Sequence, residues 1–148
     1  LGQTEVAHQF LDSPSCFSND YPLPNGTPGM GNALLCEQEI SKLMEVHQVN
    51  LLVKPLLLAN PVDSWYAIGG VANMADSALF DFENNQFTNQ GLLQQADSAI
   101  CHQPWEMLDT KFPNDDYIYQ YCLFSAYYYA LMVDGYGFSP EQSIHFVP

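Results

Sequence analysis

The chain has 148 residues, of which 47% are hydrophobic, so it is long enough for one domain with a buried core. It carries 17 acidic residues, three lysines and no arginine, and its formal net charge is −14. This balance excludes nucleic-acid binding, which needs cationic contacts to phosphates, and disfavours attraction to anionic membrane surfaces. Because arginine is the bidentate donor for phosphate groups, recognition of a nucleotide by this chain would rest on the base.

The first half of the chain is predicted to be mainly helical. Residues 3–12 form a short helix in this prediction, because their apolar side chains fall on one side. Residues 13–35 are rich in proline and glycine and are predicted to form a long loop. A loop of this length is usually either held by a cross-link or has a function of its own. Helical periodicity resumes over residues 36–58, where Pro55 should kink or end the helix.

A strand, a glycine pair and a helix follow one another in the middle of the chain. Residues 65–68 are predicted to form a short buried strand that ends at Gly69-Gly70, before a helix over residues 71–80. This succession can bring the backbone against a ligand, although it also fits an ordinary tight turn. Asn73, in the first turn of that helix, could read the edge of a base with its amide or could cap the helix.

The last third of the chain is predicted to contain three helices and a strand. Thr88 is predicted to cap a helix that runs to residue 100, and Pro104 suits the first turn of a shorter one. A long helix is predicted over residues 116–134, with Asp115 or Asp116 as its cap. Residues 144–147 are predicted to form a second short strand.

Tyrosines are concentrated around the last long helix. Seven of the nine lie between Cys101 and Cys122 or just beyond. Tyr117 and Tyr121 are four residues apart, so on a helix they share a face and differ by roughly 6 Å in rise. Two such rings could clasp a planar base, because aromatic faces stack on flat ligands. Alternatively, both rings belong to the core with their hydroxyl groups hydrogen-bonded, where the tyrosines at 127–129 are also expected.

The four cysteines are predicted to form disulfides. None of them forms a Cys-x-x-Cys pair, which argues against a zinc site. The spacings fit two local bridges, Cys16–Cys36 and Cys101–Cys122, although four cysteines allow three pairings. Disulfides indicate an oxidising compartment, so the chain is predicted to be secreted, either extracellular or periplasmic. The alternative is four buried free thiols in a cytosolic protein.

Recognisable catalytic motifs are absent from the sequence. It contains no glycine loop with a phosphate-binding lysine, no Gly-x-Ser-x-Gly and no His-Glu-x-x-His. The four histidines are interpreted as structural residues. No catalytic residue and no metal ligand are therefore assigned to this chain.

Four segments carry a resemblance to a known family: Cys101-His102-Gln103-Pro104-Trp105-Glu106, Tyr121-Cys122, Asp134-Gly135-Tyr136-Gly137-Phe138 and Ile144-His145-Phe146. They resemble the Cys-x-Gln-Pro-Trp run, Tyr-Cys pair, Gly-Tyr-x-Phe turn and Ile-His-Phe strand of the ectonucleoside triphosphate diphosphohydrolases, the apyrase family (NTPDases). The opening Gly2-Gln3-Thr4-Glu5 and the loop from Cys16 to Cys36 are similar to the start of the same lobe. The resemblance covers nearly the whole chain and is strongest to a bacterial, secreted member.

The resemblance implies an α/β fold that is predominantly helical. The chain, residues 1–148, would be a single domain corresponding to most of the second, base-binding lobe of an actin-like (ribonuclease-H-like) enzyme. It would be incomplete, with a small parallel strand pair and two disulfides, and the family pattern supports Cys101–Cys122. Residues that match Asn73, Tyr117 and Tyr121 line the base pocket in the bacterial type. The adenosine motif of the superfamily, a strand followed by two glycines, matches Gly69 and Gly70.

The resemblance also implies an activity. The family hydrolyses nucleoside triphosphates such as ATP, and diphosphates such as ADP, stepwise to the monophosphate with calcium or magnesium. Its Asp-Ala-Gly-Ser and Asp-Met-Gly-Gly loops, catalytic glutamate and Asp-Trp motif do not occur here. The chain is therefore expected to bind a nucleotide or nucleoside, to hold no cofactor itself, and to be inactive without the missing catalytic lobe. The alternative is a disulfide-stapled helical protein-interaction module without nucleotide binding, whose tyrosines face another protein.

Overall fold

The computed structural model describes residues 2–46 and 64–147. The α-helices in these ranges are α1 (Gln3–Gln9), α2 (Ala33–Val46), α3 (Gly70–Ala75), α4 (Asn89–Ala96), α5 (Trp105–Lys111) and α6 (Tyr121–Tyr129). The strands are β1 (Tyr66–Ala67), β2 (Gln86–Phe87) and β3 (Ile144–Phe146). Three 3₁₀ turns and two π-helical segments complete the regular structure: Pro14–Cys16, Glu83–Asn85, Ile118–Gln120, Asp97–Cys101 and Ala130–Gly135. The prediction of a predominantly helical fold with a small sheet is confirmed.

Side chains from outside α2 and α4 bind the first turns of these two helices. The Thr88 hydroxyl accepts a hydrogen bond from the Gly91 N–H at 2.9 Å, so the predicted cap of α4 is confirmed. At the start of α2, the Asp97 carboxylate accepts from the Ala33 N–H at 2.8 Å. This contact lets α2 begin earlier than predicted. The predicted continuation over residues 47–58, including Pro55, lies outside the described residues.

The three strands form one mixed sheet in the order β1-β3-β2. β1 runs parallel to β3, with Tyr66 opposite His145, as the strand-pair prediction required. β2 pairs antiparallel with β3 on its other side, with Phe87 opposite Ile144. Strand β2 was not predicted, because a strand of two residues is too short to show alternation of apolar and polar side chains.

Helix α6 is the centre of the core. All residues from Tyr121 to Tyr128 are buried, and the helix packs against α2 and α4. A helix that is apolar nearly all round must be covered on several sides, which explains this position. The predicted helix over residues 116–134 is divided into the 3₁₀ turn Ile118–Gln120, α6 and the π-helical segment Ala130–Gly135.

Two disulfides tie the loops to the helical core. Cys16 is bonded to Cys36 and Cys101 to Cys122, as the local pairing predicted, and no free cysteine remains. The first bridge fastens the long loop to α2, and the second fastens the segment before α5 to α6. Two disulfides suggest an oxidising, extracellular-type environment. Across residues 2–46 and 64–147, no helix is long and apolar enough to cross a membrane.

Candidate functional site

A cleft of about 220 Å³ opens between α1, the start of α3 and α6. It brings together Asn73, Tyr117, Tyr121 and Gly70, which the sequence analysis had singled out from separate segments. Residues that were not singled out complete the lining: Gln3, Met74, Gln120, Phe124 and Tyr128. The cleft is referred to below as the aromatic cleft.

The two glycines at the start of α3, Gly69 as its N-cap and Gly70 as its first residue, contribute in different ways. Gly69 has φ of +76°, a conformation that glycine adopts without the strain of a side chain, and its carbonyl accepts from the Asn73 N–H at 2.9 Å. It shapes the turn into the helix, while Gly70 borders the cleft itself. A Cβ atom on Gly70 would lie 2.6 Å from the Tyr128 hydroxyl and 3.0 Å from Oε1 of Gln3. Gly70 therefore leaves room for two side chains of the cleft.

The aromatic residues form a floor and an outer wall. Tyr121, Phe124 and Tyr128 lie three and four residues apart on α6 and present one face of that helix to the cleft. Tyr121 is only 8% exposed, whereas Tyr117 is 66% exposed. The prediction that Tyr117 and Tyr121 share an α-helix is wrong, because Tyr117 precedes the 3₁₀ turn that leads into α6. Both nevertheless reach the same cleft.

Asp115 fixes the two tyrosines relative to each other. Its Oδ1 accepts from the Tyr117 backbone N–H and from the Tyr121 hydroxyl, both at 3.1 Å. Burial, followed by the nearby Asp115 carboxylate, raises the pKa of Tyr121, so its hydroxyl stays protonated and donates to Asp115. From the sequence, Asp115 was predicted only as a possible helix cap. The structure adds the hydrogen bond that it accepts from the Tyr121 hydroxyl, and this bond orients the ring at the floor of the cleft.

Three carboxamides give the aromatic cleft its polar edge: Gln3, Asn73 and Gln120. Oε1 of Gln3 accepts from the Tyr128 hydroxyl at 3.0 Å. Burial, followed by the neighbouring Tyr127, raises the pKa of Tyr128, which therefore remains a neutral donor. Phe124 and Tyr128 follow Tyr121 at intervals of three and four residues on α6, so helical spacing could have predicted that they share its face. Gln3 and Gln120 carry no comparable signal.

The lining of the aromatic cleft contains aromatic rings, amides, a thioether and a glycine, and no charged side chain among the described residues. Aromatic faces attract flat ring systems, and amides both donate and accept hydrogen bonds. The cleft thus complements a flat, neutral ligand with polar edges. An anionic group would find no cationic partner in the lining.

The resemblance implies a calcium or magnesium ion in the parent enzyme, and such an ion needs several oxygen ligands close together. Within 2–46 and 64–147, no group of three or more His, Cys, Asp or Glu side chains is arranged as a set of metal ligands. We therefore assign none of these residues to magnesium or calcium. Nε2 of His102 lies 3.1 Å from Oδ2 of Asp97, and this pair of side chains is exposed to solvent.

No protein-family model and no curated protein matches this chain. The hypotheses on function below consequently depend on the sequence segments quoted above and on the geometry of the aromatic cleft.

Proposed function

We propose that this chain is the nucleoside-binding lobe of a secreted hydrolase that converts nucleoside triphosphates and diphosphates to the monophosphate and phosphate. The observation that supports the proposal most directly is the meeting of Asn73, Tyr117, Tyr121 and Gly70 in one uncharged cleft. These residues come from segments that the family resemblance had linked to the base pocket. In this proposal the actin-like architecture and the NTPDase family are inferred together with the function.

The aromatic cleft would hold the base rather than the phosphates. Tyr117, the exposed wall, would stack on one face of the base, and a stack of this kind contributes about 1–3 kcal/mol. Asn73, also exposed, would bond to a polar edge. Because no cation lines the cleft, nucleoside, monophosphate and triphosphate should bind with similar affinity.

The hydrolysis itself would require a partner. The phosphate loops, the metal and the base that activates water would come from the catalytic lobe, and this lobe would hold the nucleoside in place for them. Positioning of this kind can lower a reaction barrier by several kcal/mol. The isolated 148-residue chain should accordingly show no turnover of ATP or ADP; measurable phosphate release by the purified chain would contradict this expectation.

Two tyrosine variants with similar exposure test base binding. Tyr117 is 66% exposed in the aromatic cleft, and Tyr66 is 68% exposed on β1, outside the lining. Tyr117→Ala should weaken nucleoside binding about 5- to 150-fold, the equivalent of one stack. Tyr66→Ala should leave binding unchanged. Calorimetric titration or amide NMR shifts would measure both, and coincident curves for the wild type and Tyr117→Ala would refute the stacking role.

Tyr121 requires a more conservative substitution than alanine. It is buried and touches Phe80 as well as Asp115, so truncation to alanine would leave a cavity in the core. Tyr121→Phe keeps the ring and removes only the hydroxyl that Asp115 holds. It should weaken nucleoside binding severalfold, since the ring loses its fixed orientation while the fold remains intact.

One observation favours the alternative, an interaction module. Tyr66 is exposed on the outer strand β1, and Ile68 and Val147 are exposed just after β1 and β3. Exposed apolar side chains at a strand edge suit a contact with another protein. Most tyrosines of α6 are buried, so such a contact would lie at the sheet rather than at the tyrosines. The alternative would gain support if nucleosides left all amide NMR shifts unchanged.

A further inference from the structure

The side chain of Gln3 lies across Gly70 at the edge of the aromatic cleft. An ideal Cβ on Gly70 would be 3.0 Å from Oε1 of Gln3 and 3.6 Å from its Nε2, so the glycine backbone and the amide are in close proximity. Oε1 accepts from the Tyr128 hydroxyl at 3.0 Å. Within the described part of the chain, Nε2 of Gln3 makes no hydrogen bond. The amide therefore has one occupied end and one end that is available to a ligand.

Tyr128 determines which end is available. Its side chain is only 6% exposed on the central helix α6, and its hydroxyl has one hydrogen to donate. With Oε1 of Gln3 facing it, that hydrogen is satisfied. If the amide were flipped, the hydroxyl would face an N–H₂ group, and its own hydrogen would lose the Oε1 atom that accepts it. Because an unsatisfied buried donor is costly, the amide keeps Nε2 as its free end.

The other two carboxamides of the cleft are not oriented in this way. The side chains of Asn73 and Gln120 have no hydrogen-bond partner in residues 2–46 and 64–147. They can rotate to offer either a donor or an acceptor to a ligand. Gln3 is thus the amide whose polarity the protein itself sets, and it presents a donor.

We propose that Gln3 makes the aromatic cleft select bases that carry a ring carbonyl over those that carry an exocyclic amine at the same position. Uridine should therefore be preferred to cytidine, and inosine to adenosine. A carbonyl oxygen accepts from Nε2, whereas an amine would place two donors against each other. The inference rests on the proposed nucleoside-binding function and names the specificity of that same cleft.

Paired ligands and a charge-changing variant test the inference. Uridine and cytidine should differ about three- to tenfold in Kd for the wild type, in favour of uridine, and inosine and adenosine should behave likewise. Gln3→Glu keeps an oxygen for Tyr128 and replaces the amino group by a second acceptor. The preference should then reverse towards cytidine. Gln94→Glu adds the same charge at an exposed position of α4, outside the cleft, and should leave the ratio unchanged.

Tyr128→Phe supplies a separate measurement. Without the hydroxyl, the Gln3 amide can present either end, so the uridine-to-cytidine ratio should fall towards one while both nucleosides still bind. Thermal unfolding of each variant would establish that the fold is retained.

The outcomes separate the two proposals. Equal affinities for uridine and cytidine, or a ratio that Gln3→Glu leaves unchanged, would overturn the role of Gln3 and leave nucleoside binding intact. Failure of all four nucleosides to bind the wild-type chain would instead overturn the proposed function, and the inference with it.

Discussion

Replacing Glu37 by glutamine should remove a loss of stability that the wild-type chain suffers as pH rises. Glu37 lies on α2 and is only 6% exposed, and its Oε1 has no hydrogen-bond partner among the described residues. Burial, then a hydrogen bond to Asp134 and the charge of that carboxylate, raises the pKa of Glu37 from 4.5 to about 8. The folded chain therefore holds a proton there that the unfolded chain releases.

The sign of the effect follows from proton binding. Between pH 4.5 and about 8, the unfolded state binds fewer protons at Glu37 than the folded state, so stability falls as pH rises. The full shift corresponds to an upper limit of about 5 kcal/mol. Asp134 is exposed and solvent screens its charge, so we expect a loss of about 2–4 kcal/mol between pH 5 and pH 9.

Urea unfolding of the wild type and Glu37→Gln over this pH range measures the effect. Glutamine has the shape of the protonated acid and does not titrate, so the variant should gain stability relative to the wild type as pH rises. Subtracting the wild-type free energy of unfolding from that of Glu37→Gln at each pH removes the contribution of the other acidic residues. Glu45→Gln, an exposed position on α2, serves as the control and should show no such gain. Parallel pH profiles for the wild type and Glu37→Gln would refute the reasoning.

Four further variants have expected outcomes. Gly70→Ala should weaken nucleoside binding at least about tenfold, since its Cβ would displace the side chains that meet above it; a normal titration curve would disprove this. Gly31→Ala should lower the free energy of unfolding by about 1–3 kcal/mol, because its Cβ would lie 2.7 Å from the Cys101 Cα. Gly2→Ala should change the free energy of unfolding by less than about 0.5 kcal/mol, because a Cβ atom there would meet open space. Equal unfolding midpoints in urea for Gly31→Ala and Gly2→Ala would contradict the prediction. Removing the Cys101–Cys122 disulfide by a double alanine substitution should cost about 3 kcal/mol, and an unchanged unfolding midpoint without reductant would count against that value.

Several features of this protein followed from the sequence alone because they depend on neighbours close in the chain. Thr88 capped α4 as predicted, since a cap needs only a hydroxyl and the next turn of the helix. The local disulfide pairing was also predicted from the spacing of the cysteines. The apolar character of the last helix anticipated its buried position at the centre of the fold.

Tertiary structure alone decided the polarity of the aromatic cleft and the environment of Glu37. Gln3 and Tyr128 are 125 positions apart and form their hydrogen bond only because α1 packs beside α6. Asp134 likewise reaches Glu37 from the far end of the chain. Local pattern reveals which residues can be buried or can cap a helix. It does not reveal which distant side chains will meet, because that depends on how the whole set of helices packs.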